Sequence, residues 1–181
     1  MKDSKNPWQK KNSKLIYDNA WISVHHDEVI TPTGTDGIYG RVAFKNKAIG
    51  IIPLDEHNNT WLVGQYRYTI DEYSWEIPMG GGPMGEDSLL AAKRELKEET
   101  GIEAKDWECI MRLHTSNCIT DEEGFVYVAK DLSYGETNFD DTEDLQIKKL
   151  PFSEVVQMIN KGEITDAITI AGILKFNALL S

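Results

Sequence analysis

The chain has 181 residues, of which 40% are hydrophobic, and it carries a formal net charge of −11. This length suits a single domain with room for a small accessory lobe, and the hydrophobic content is sufficient for a core. The acidic balance argues against a nucleic-acid backbone as the main partner. No apolar run approaches the length of a membrane span, and the polar N-terminus lacks a secretory signal. We therefore expect a cytoplasmic protein without a nucleic-acid or membrane partner.

Residues 1–45 are predicted to form a polar tail followed by a small antiparallel β unit. From residue 13 onward, β-branched segments are interrupted by turn signals such as Pro32-Thr33-Gly34, a pattern that indicates about three strands. Residues 46–181 are predicted to form a second, larger domain. It begins with the mostly apolar run 48–54, which is typical of a buried strand.

The next predicted strand, residues 60–69, places Gln65 and Arg67 on one face because side chains alternate along a strand. Arg67 is either a surface charge or a clamp for a substrate phosphate. In the segment that follows, Glu76 alternates with apolar neighbours that are expected in the core. Glu76 is therefore a candidate to face a binding cleft.

The segment Gly80 to Ile102 carries the most informative pattern of the chain. Its opening run, Gly80 to Pro83, is unfavourable inside a helix or strand and predicts a turn. A helix is expected directly afterwards, with Asp87 or Ser88 as its N-cap. Gly101 stands where a left-handed residue commonly ends a helix.

Helical spacing puts Glu95, Glu98 and Glu99 on one face, because they stand at positions i, i+3 and i+4. Like charges at this spacing repel each other and weaken an isolated helix. One interpretation is a solvated acidic surface. The other is a binding site for a hard divalent cation such as Mg²⁺, which prefers oxygen ligands.

Beyond the helix, residues 106–117, 124–132 and 145–152 are predicted strands, and an acidic loop lies between the first two. Two helices are expected at the end of the chain, the first capped by Ser153 and the second covering 165–180. Strands that bracket one central helix, with two further helices at the end, indicate a mixed sheet between helical layers.

The fixed spacing within Gly80–Ile102 resembles the Nudix box at every constrained position. The matching residues are Gly80, Glu86, Arg94-Glu95-Leu96, Glu98-Glu99 and Gly101-Ile102. More loosely, residues 14–178 resemble the ADP-ribose and nucleotide-sugar pyrophosphatase branch of that family. The resemblance implies an α/β/α sandwich with a mixed β-sheet, preceded by the small antiparallel unit.

The same resemblance implies roles for the residues of the box. Glu95 and Glu99 would be the main ligands of Mg²⁺, for which Mn²⁺ can substitute. Glu98 would be a further ligand or would hold the catalytic water, and the Met79 carbonyl would add an oxygen. Three residues would orient the motif: Gly80, Glu86 and Arg94.

Outside the box, the resemblance implies a phosphate-binding role for Arg67 and a dimer formed through the N-terminal unit. Trp21 or Tyr17 would then stack on the nucleobase. The general base of this branch comes from an acidic loop. Glu143 matches that position, with Glu122 and Glu123 as competitors.

The expected activity is Mg²⁺-dependent hydrolysis of the pyrophosphate bond in a nucleoside diphosphate sugar. ADP-ribose-preferring members typically carry a proline about fifteen residues beyond the box, whereas residues 114–118 contain none. We therefore expect the substrate to be ADP-ribose, ADP-glucose or GDP-mannose. Two alternatives are a non-catalytic domain that senses nucleotide sugars and a housekeeping nucleoside triphosphate pyrophosphatase.

Overall fold

The structure is a computed structural model that describes residues 5–135 and 145–180. Within these residues the chain forms seven strands, a helix, three further strands and two final helices. The strands are β1 (Gln9–Asp18), β2 (Ile22–Ile30), β3 (Asp36–Phe44), β4 (Asn46–Pro53), β5 (Asn59–Arg67), β6 (Glu72–Glu76), β7 (Met79–Pro83), β8 (Ile102–His114), β9 (Glu123–Tyr134) and β10 (Gln146–Pro151). The helices are α1 (Ser88–Thr100), α2 (Phe152–Asn160) and α3 (Ala167–Leu180).

The chain divides into two compact units, Met1–Asn46 with Ser116–Glu122 and Lys47–Thr115 with Glu123–Ser181. In the first unit, β1, β2 and β3 form an antiparallel sheet in that order, which confirms the predicted antiparallel N-terminal strands. The segment Ser116–Glu122 joins this unit through the Val42 N–H, which donates to the Ile119 carbonyl at 2.9 Å. The functional division at residues 45 and 46 stays a prediction.

The second unit contains two sheets, with strand orders β7-β4-β9-β8 and β10-β5-β6. In the first of these, β4 and β9 run parallel while β8 and β9 run antiparallel, so the sheet is mixed as predicted. The other sheet is antiparallel throughout. The strands predicted around Arg67 and at 145–152 are thus neighbours in one sheet.

Alternation along β4 explains how helices cover both faces of the mixed sheet. Ile49 and Ile51 pack in a cluster with Ala92 and Leu96 of α1. Ile52 points to the opposite face, where it packs in a cluster with Ile173 and other residues of α2 and α3. This arrangement confirms the predicted α/β/α sandwich.

No helix in the ranges 5–135 and 145–180 is long and apolar enough to cross a membrane.

Two local predictions were wrong. The glycine run is not a simple turn, because Met79–Pro83 forms the edge strand β7, where proline and glycine are tolerated better than inside a sheet. Ser153 is not the cap of α2, because the helix already includes Phe152 and Pro151 occupies the capping position without a side-chain hydrogen bond. The predicted cap missed the start of α2 by two residues, a common error at helix ends.

Candidate active site

Helix α1 begins and ends where the sequence predicted. The Asp87 carboxylate caps it by accepting the N–H groups of Leu89 at 2.8 Å and Leu90 at 3.3 Å. Gly101 ends it with a left-handed backbone (φ 68°), and its N–H donates to the Lys97 carbonyl. These two ends fix which side chains of α1 face the sheet.

The glutamate face of α1 is turned into the protein rather than into solvent. Glu95 is only 8% exposed to solvent, and Glu99 is 2% exposed. Glu98, one turn from Glu95, is half-buried. Burying carboxylates has a cost of several kcal/mol each unless other groups compensate. The interpretation of a solvated acidic surface is therefore wrong for Glu95 and Glu99.

Arg94 supplies part of that compensation from within the same helix. Its Nη1 donates to Glu95 at 2.7 Å and to Glu98 at 2.9 Å, and its Nη2 donates to the Gly81 carbonyl at 3.0 Å. Glu86 lies 3.6 Å from the same guanidinium group. Burial alone would lower the pKa of Arg94, but the neighbouring Glu95 and Glu98 raise it, so Arg94 stays charged.

Strand β7 closes over the glutamates because Gly80 has no side chain. A Cβ at this position would collide with the Glu95 carboxylate. Immediately before it, the Met79 N–H donates to Glu99 at 2.9 Å. The glycine run and the acidic helix face are therefore parts of one site.

The donor set fits a divalent cation on two grounds. Three carboxylates, those of Glu86, Glu95 and Glu98, surround the single guanidinium of Arg94. Glu86 Oε2 is buried and accepts no hydrogen bond from the described residues, although the Arg94 guanidinium lies 3.6 Å away, so this oxygen has acceptor capacity left for a ligand. Within residues 5–135 and 145–180, no group of three His, Cys, Asp or Glu side chains is already arranged to hold a metal ion, and Glu95 and Glu98 accept hydrogen bonds from Arg94.

The side chains of Arg67 and Glu76, both predicted to contact substrate, meet although the two residues are not opposite each other in the pairing of β5 with β6. Arg67 donates from Nε to Glu76 at 2.8 Å and from Nη2 to the second carboxylate oxygen. Hydrogen bonding to Glu76 raises the pKa of Arg67 against the effect of burial. The pair lines a pocket of about 340 Å³, whose other wall includes Thr165 and Asp166.

Comparison with known proteins identifies the architecture. The model of the NUDIX domain matches residues 45–171. The chain belongs to the NUDIX family. A second model, the nucleoside diphosphate sugar hydrolase N-terminal domain, matches residues 8–42. The predicted membership in the nucleoside diphosphate sugar branch of the Nudix hydrolases is thereby confirmed, as is the prediction of an enzyme.

Individual proteins are similar to this chain along most of its length. The chain is 31% identical over 173 residues to an ADP-ribose pyrophosphatase of Mycobacterium tuberculosis H37Rv, covering 93% of this chain and 82% of the relative. It is also 31% identical over 163 residues to a methanol dehydrogenase activator of Bacillus methanolicus, covering 89% and 88%. A crystal structure of an ADP compounds hydrolase superposes with a TM-score of 0.87 at 20% identity, covering 99% of this chain and 97% of that one. At that identity it supports the Nudix fold alone.

Other predicted site residues lie outside the Nudix helix and its strand. Trp21 and Tyr17 belong to the first unit and are 67% and 54% exposed. Glu122 is half-buried in that unit, while Glu123 begins β9 and accepts a hydrogen bond from Arg112. Glu143 lies outside the described residues.

Sequence reasoning did not single out Thr165, Asp166 and Ser74, which line the pocket of Arg67. A signal for Asp166 was present, because its carboxylate caps α3 by accepting the Thr169 N–H at 2.7 Å. An aspartate directly before an apolar run is a common helix start, because its carboxylate accepts N–H groups of the first turn. The helix was predicted to begin at residue 165, which placed Asp166 inside the helix instead of at its cap.

Proposed function

We propose that this Nudix protein hydrolyses the pyrophosphate bond of a nucleoside diphosphate sugar, with ADP-ribose as the first candidate. The products are a nucleoside monophosphate and a sugar phosphate. The observation that carries the proposal is the buried glutamate face of α1, held against Gly80 and Met79 by contacts to Glu95 and Glu99. The relative named ADP-ribose pyrophosphatase, which aligns along 93% of this chain, supports the substrate class.

Glu95, Glu98 and Glu99, with the Met79 carbonyl, would hold Mg²⁺ or Mn²⁺. When bound, such an ion polarises phosphoryl oxygens and lowers the pKa of a bound water. Arg94 and Glu86 orient the acidic face, and Gly80 leaves room for the carboxylate of Glu95.

Arg67 binds a phosphate oxygen of the substrate, and Glu76 holds its guanidinium in a fixed plane through two hydrogen bonds. Glu98 is one candidate to position the attacking water. Glu143 is the proposed general base, with Glu122 and Glu123 as competitors. The ion pair with Arg112 counts against Glu123, because it occupies the carboxylate that would have to contact the attacking water.

We further propose a cytoplasmic homodimer formed through the N-terminal strands of the first unit, with Trp21 or Tyr17 stacking on the nucleobase. Strand β1 supports this proposal, because all ten of its residues are exposed, including Leu15 and Ile16. An exposed edge strand of this length is otherwise prone to aggregation. Light scattering after size exclusion tests it, and a monomer at micromolar concentration would contradict it.

The decisive experiment is a substrate panel with product identification in the presence of Mg²⁺ or Mn²⁺. The panel contains ADP-ribose, ADP-glucose, GDP-mannose, a dinucleoside polyphosphate and a nucleoside triphosphate. A monophosphate plus a sugar phosphate from at least one nucleotide sugar is expected. Cleavage of the triphosphate alone would indicate the housekeeping alternative. Tight binding of a nucleotide sugar without any product would indicate a sensing domain.

A further inference from the structure

A hydrogen bond joins the first turn of α3 to the segment that carries Glu76. Thr169 is fully buried, and its hydroxyl accepts the N–H of Ile77 at 3.1 Å. Ile77 lies directly after β6, which ends at Glu76. A buried backbone N–H without an acceptor loses its hydration and gains nothing in return. Thr169 therefore holds the chain at the residue next to Glu76.

Asp166 in turn fixes the position of Thr169. Its carboxylate accepts the backbone N–H of Thr169 at 2.7 Å, which defines the start of the helix. Apolar packing reinforces the contact at Gly50 of β4. A Cβ on Gly50 would lie 2.9 Å from side-chain atoms of both Ile77 and Ile168. The missing side chain allows α3 and the Glu76 segment to pack closely on the same point of β4.

The contacts of Thr169 and Asp166 lead, through Glu76, to the pocket of Arg67. Glu76 holds the Arg67 guanidinium through two hydrogen bonds, and Asp166 lines the same pocket. The pKa of Arg67 is raised first by its hydrogen bond to Glu76 and further by the nearby charge of Asp166. Asp166 thus contributes both to the backbone geometry and to the charge balance of the pocket.

We propose that Thr169 and Asp166 are positioning residues, which hold Glu76 and thereby the Arg67 guanidinium in the orientation that binds a substrate phosphate. This inference rests on the proposed function, in which Arg67 contacts the pyrophosphate. The glutamate site has anchors of its own, since the Pro78 carbonyl accepts the Ile51 N–H at 2.8 Å and the Met79 N–H donates to Glu99 at 2.9 Å. Loss of the Thr169 hydroxyl should therefore weaken substrate binding more than it slows the chemical step.

The test compares Thr169→Val, which removes the hydroxyl, with Thr169→Ser, which keeps it. Thr60→Val is a matched control, because Thr60 is equally buried but its hydroxyl has no hydrogen-bond partner among the described residues. With ADP-ribose and saturating Mg²⁺, we expect Thr169→Val to raise KM about fivefold, the effect of one net hydrogen bond. Its kcat should change less than about twofold. Thr169→Ser and Thr60→Val should keep the KM of the parent protein.

A merely structural role for Thr169 predicts a lower melting temperature with an unchanged KM, and that result would overturn the proposal. A loss confined to kcat would overturn it as well. The double variant Thr169→Val with Arg67→Ala provides a further check, because a residue that acts through Arg67 has no additional effect once Arg67 is removed. A KM that Arg67→Ala leaves unchanged would instead contradict the proposed function.

Should Thr169→Val fail to fold, Asp166→Ala serves as the second variant, because Asp166 is only half-buried. It should raise KM for ADP-ribose at least threefold, because alanine removes the cap that fixes the position of Thr169. Addition of the Arg67→Ala change should again abolish the difference. A KM for Asp166→Ala within the error of the parent value would overturn the proposal.

Discussion

Two carboxylate sites in the second unit are built in opposite ways. Asp55, after β4, accepts the N–H groups of His57 at 2.9 Å and Asn59 at 2.7 Å, and it pairs with Lys149 at 2.8 Å. The charge of Asp55 is balanced by Lys149, and its carboxylate accepts hydrogen bonds from the backbone. Around Arg94, by contrast, three carboxylates share one guanidinium. The first arrangement stabilises a turn, whereas the second retains negative charge that a cation can neutralise.

The largest difference between the two sites should appear in catalysis. We expect Glu99→Gln to reduce kcat/KM about a thousandfold, because a lost metal ligand removes several kcal/mol of transition-state stabilisation. Its fold should be retained, as shown by an unchanged far-UV spectrum. Asp55→Asn is the control, and it should hydrolyse the substrate at the parent rate. Equal activity of Glu99→Gln and the parent protein would refute the metal assignment.

The excess charge around Arg94 leads to the next prediction. Arg94→Ala should lower the free energy of unfolding of the metal-free protein by about 2–3 kcal/mol, because Glu95 and Glu98 lose their cation. Mn²⁺ should restore part of that loss and raise the melting temperature more than in the parent protein. Arg112→Ala, which breaks a largely exposed pair with Glu123, should cost less than about 1 kcal/mol. Equal responses of both variants to Mn²⁺ would contradict the comparison.

Asp55 should make the free energy of unfolding depend on pH. Burial acts to raise the pKa of Asp55, but hydrogen bonds from Lys149, Asn59 and the His57 backbone outweigh it and lower the pKa below its usual 3.8. The unfolded state therefore takes up a proton first, so the contribution of Asp55 is present above about pH 4 and is lost as the pH falls. Asp55→Asn should cost about 1–2 kcal/mol near neutral pH. Urea unfolding should show this difference shrinking below pH 3.8.

The smallest expected effect concerns the starts of α1 and α2. Asp87→Ala removes a cap with two hydrogen bonds and should cost about 1 kcal/mol in the free energy of unfolding. Ser153→Ala should lie within about 0.5 kcal/mol of the parent protein, because Ser153 is an exposed residue inside α2. Both values can be measured by urea unfolding. A larger cost for Ser153→Ala would restore its role as a cap.

Much of the fold could be predicted because its signals are local. The caps of α1 at Asp87 and Gly101 and the alternating strands of the first unit follow from backbone preferences of neighbouring residues. The start of α2 was misplaced because Phe152 belongs to the helix and packs in the core, and the start of α3 was misplaced because Asp166 caps the helix instead of lying inside it. The β7 strand was missed because its partner is β4, far away in the sequence.

By itself, the sequence determined the family and the acidic face of α1, since spacing along one helix is set by its geometry. Only the tertiary structure decided that this face is buried, that Gly80 leaves room for Glu95, and that Met79 donates to Glu99. It also decided that Arg67 is held by Glu76 and lies beside Asp166. These contacts join residues from separate elements, and packing of those elements, not local preference, brings them within hydrogen-bonding distance.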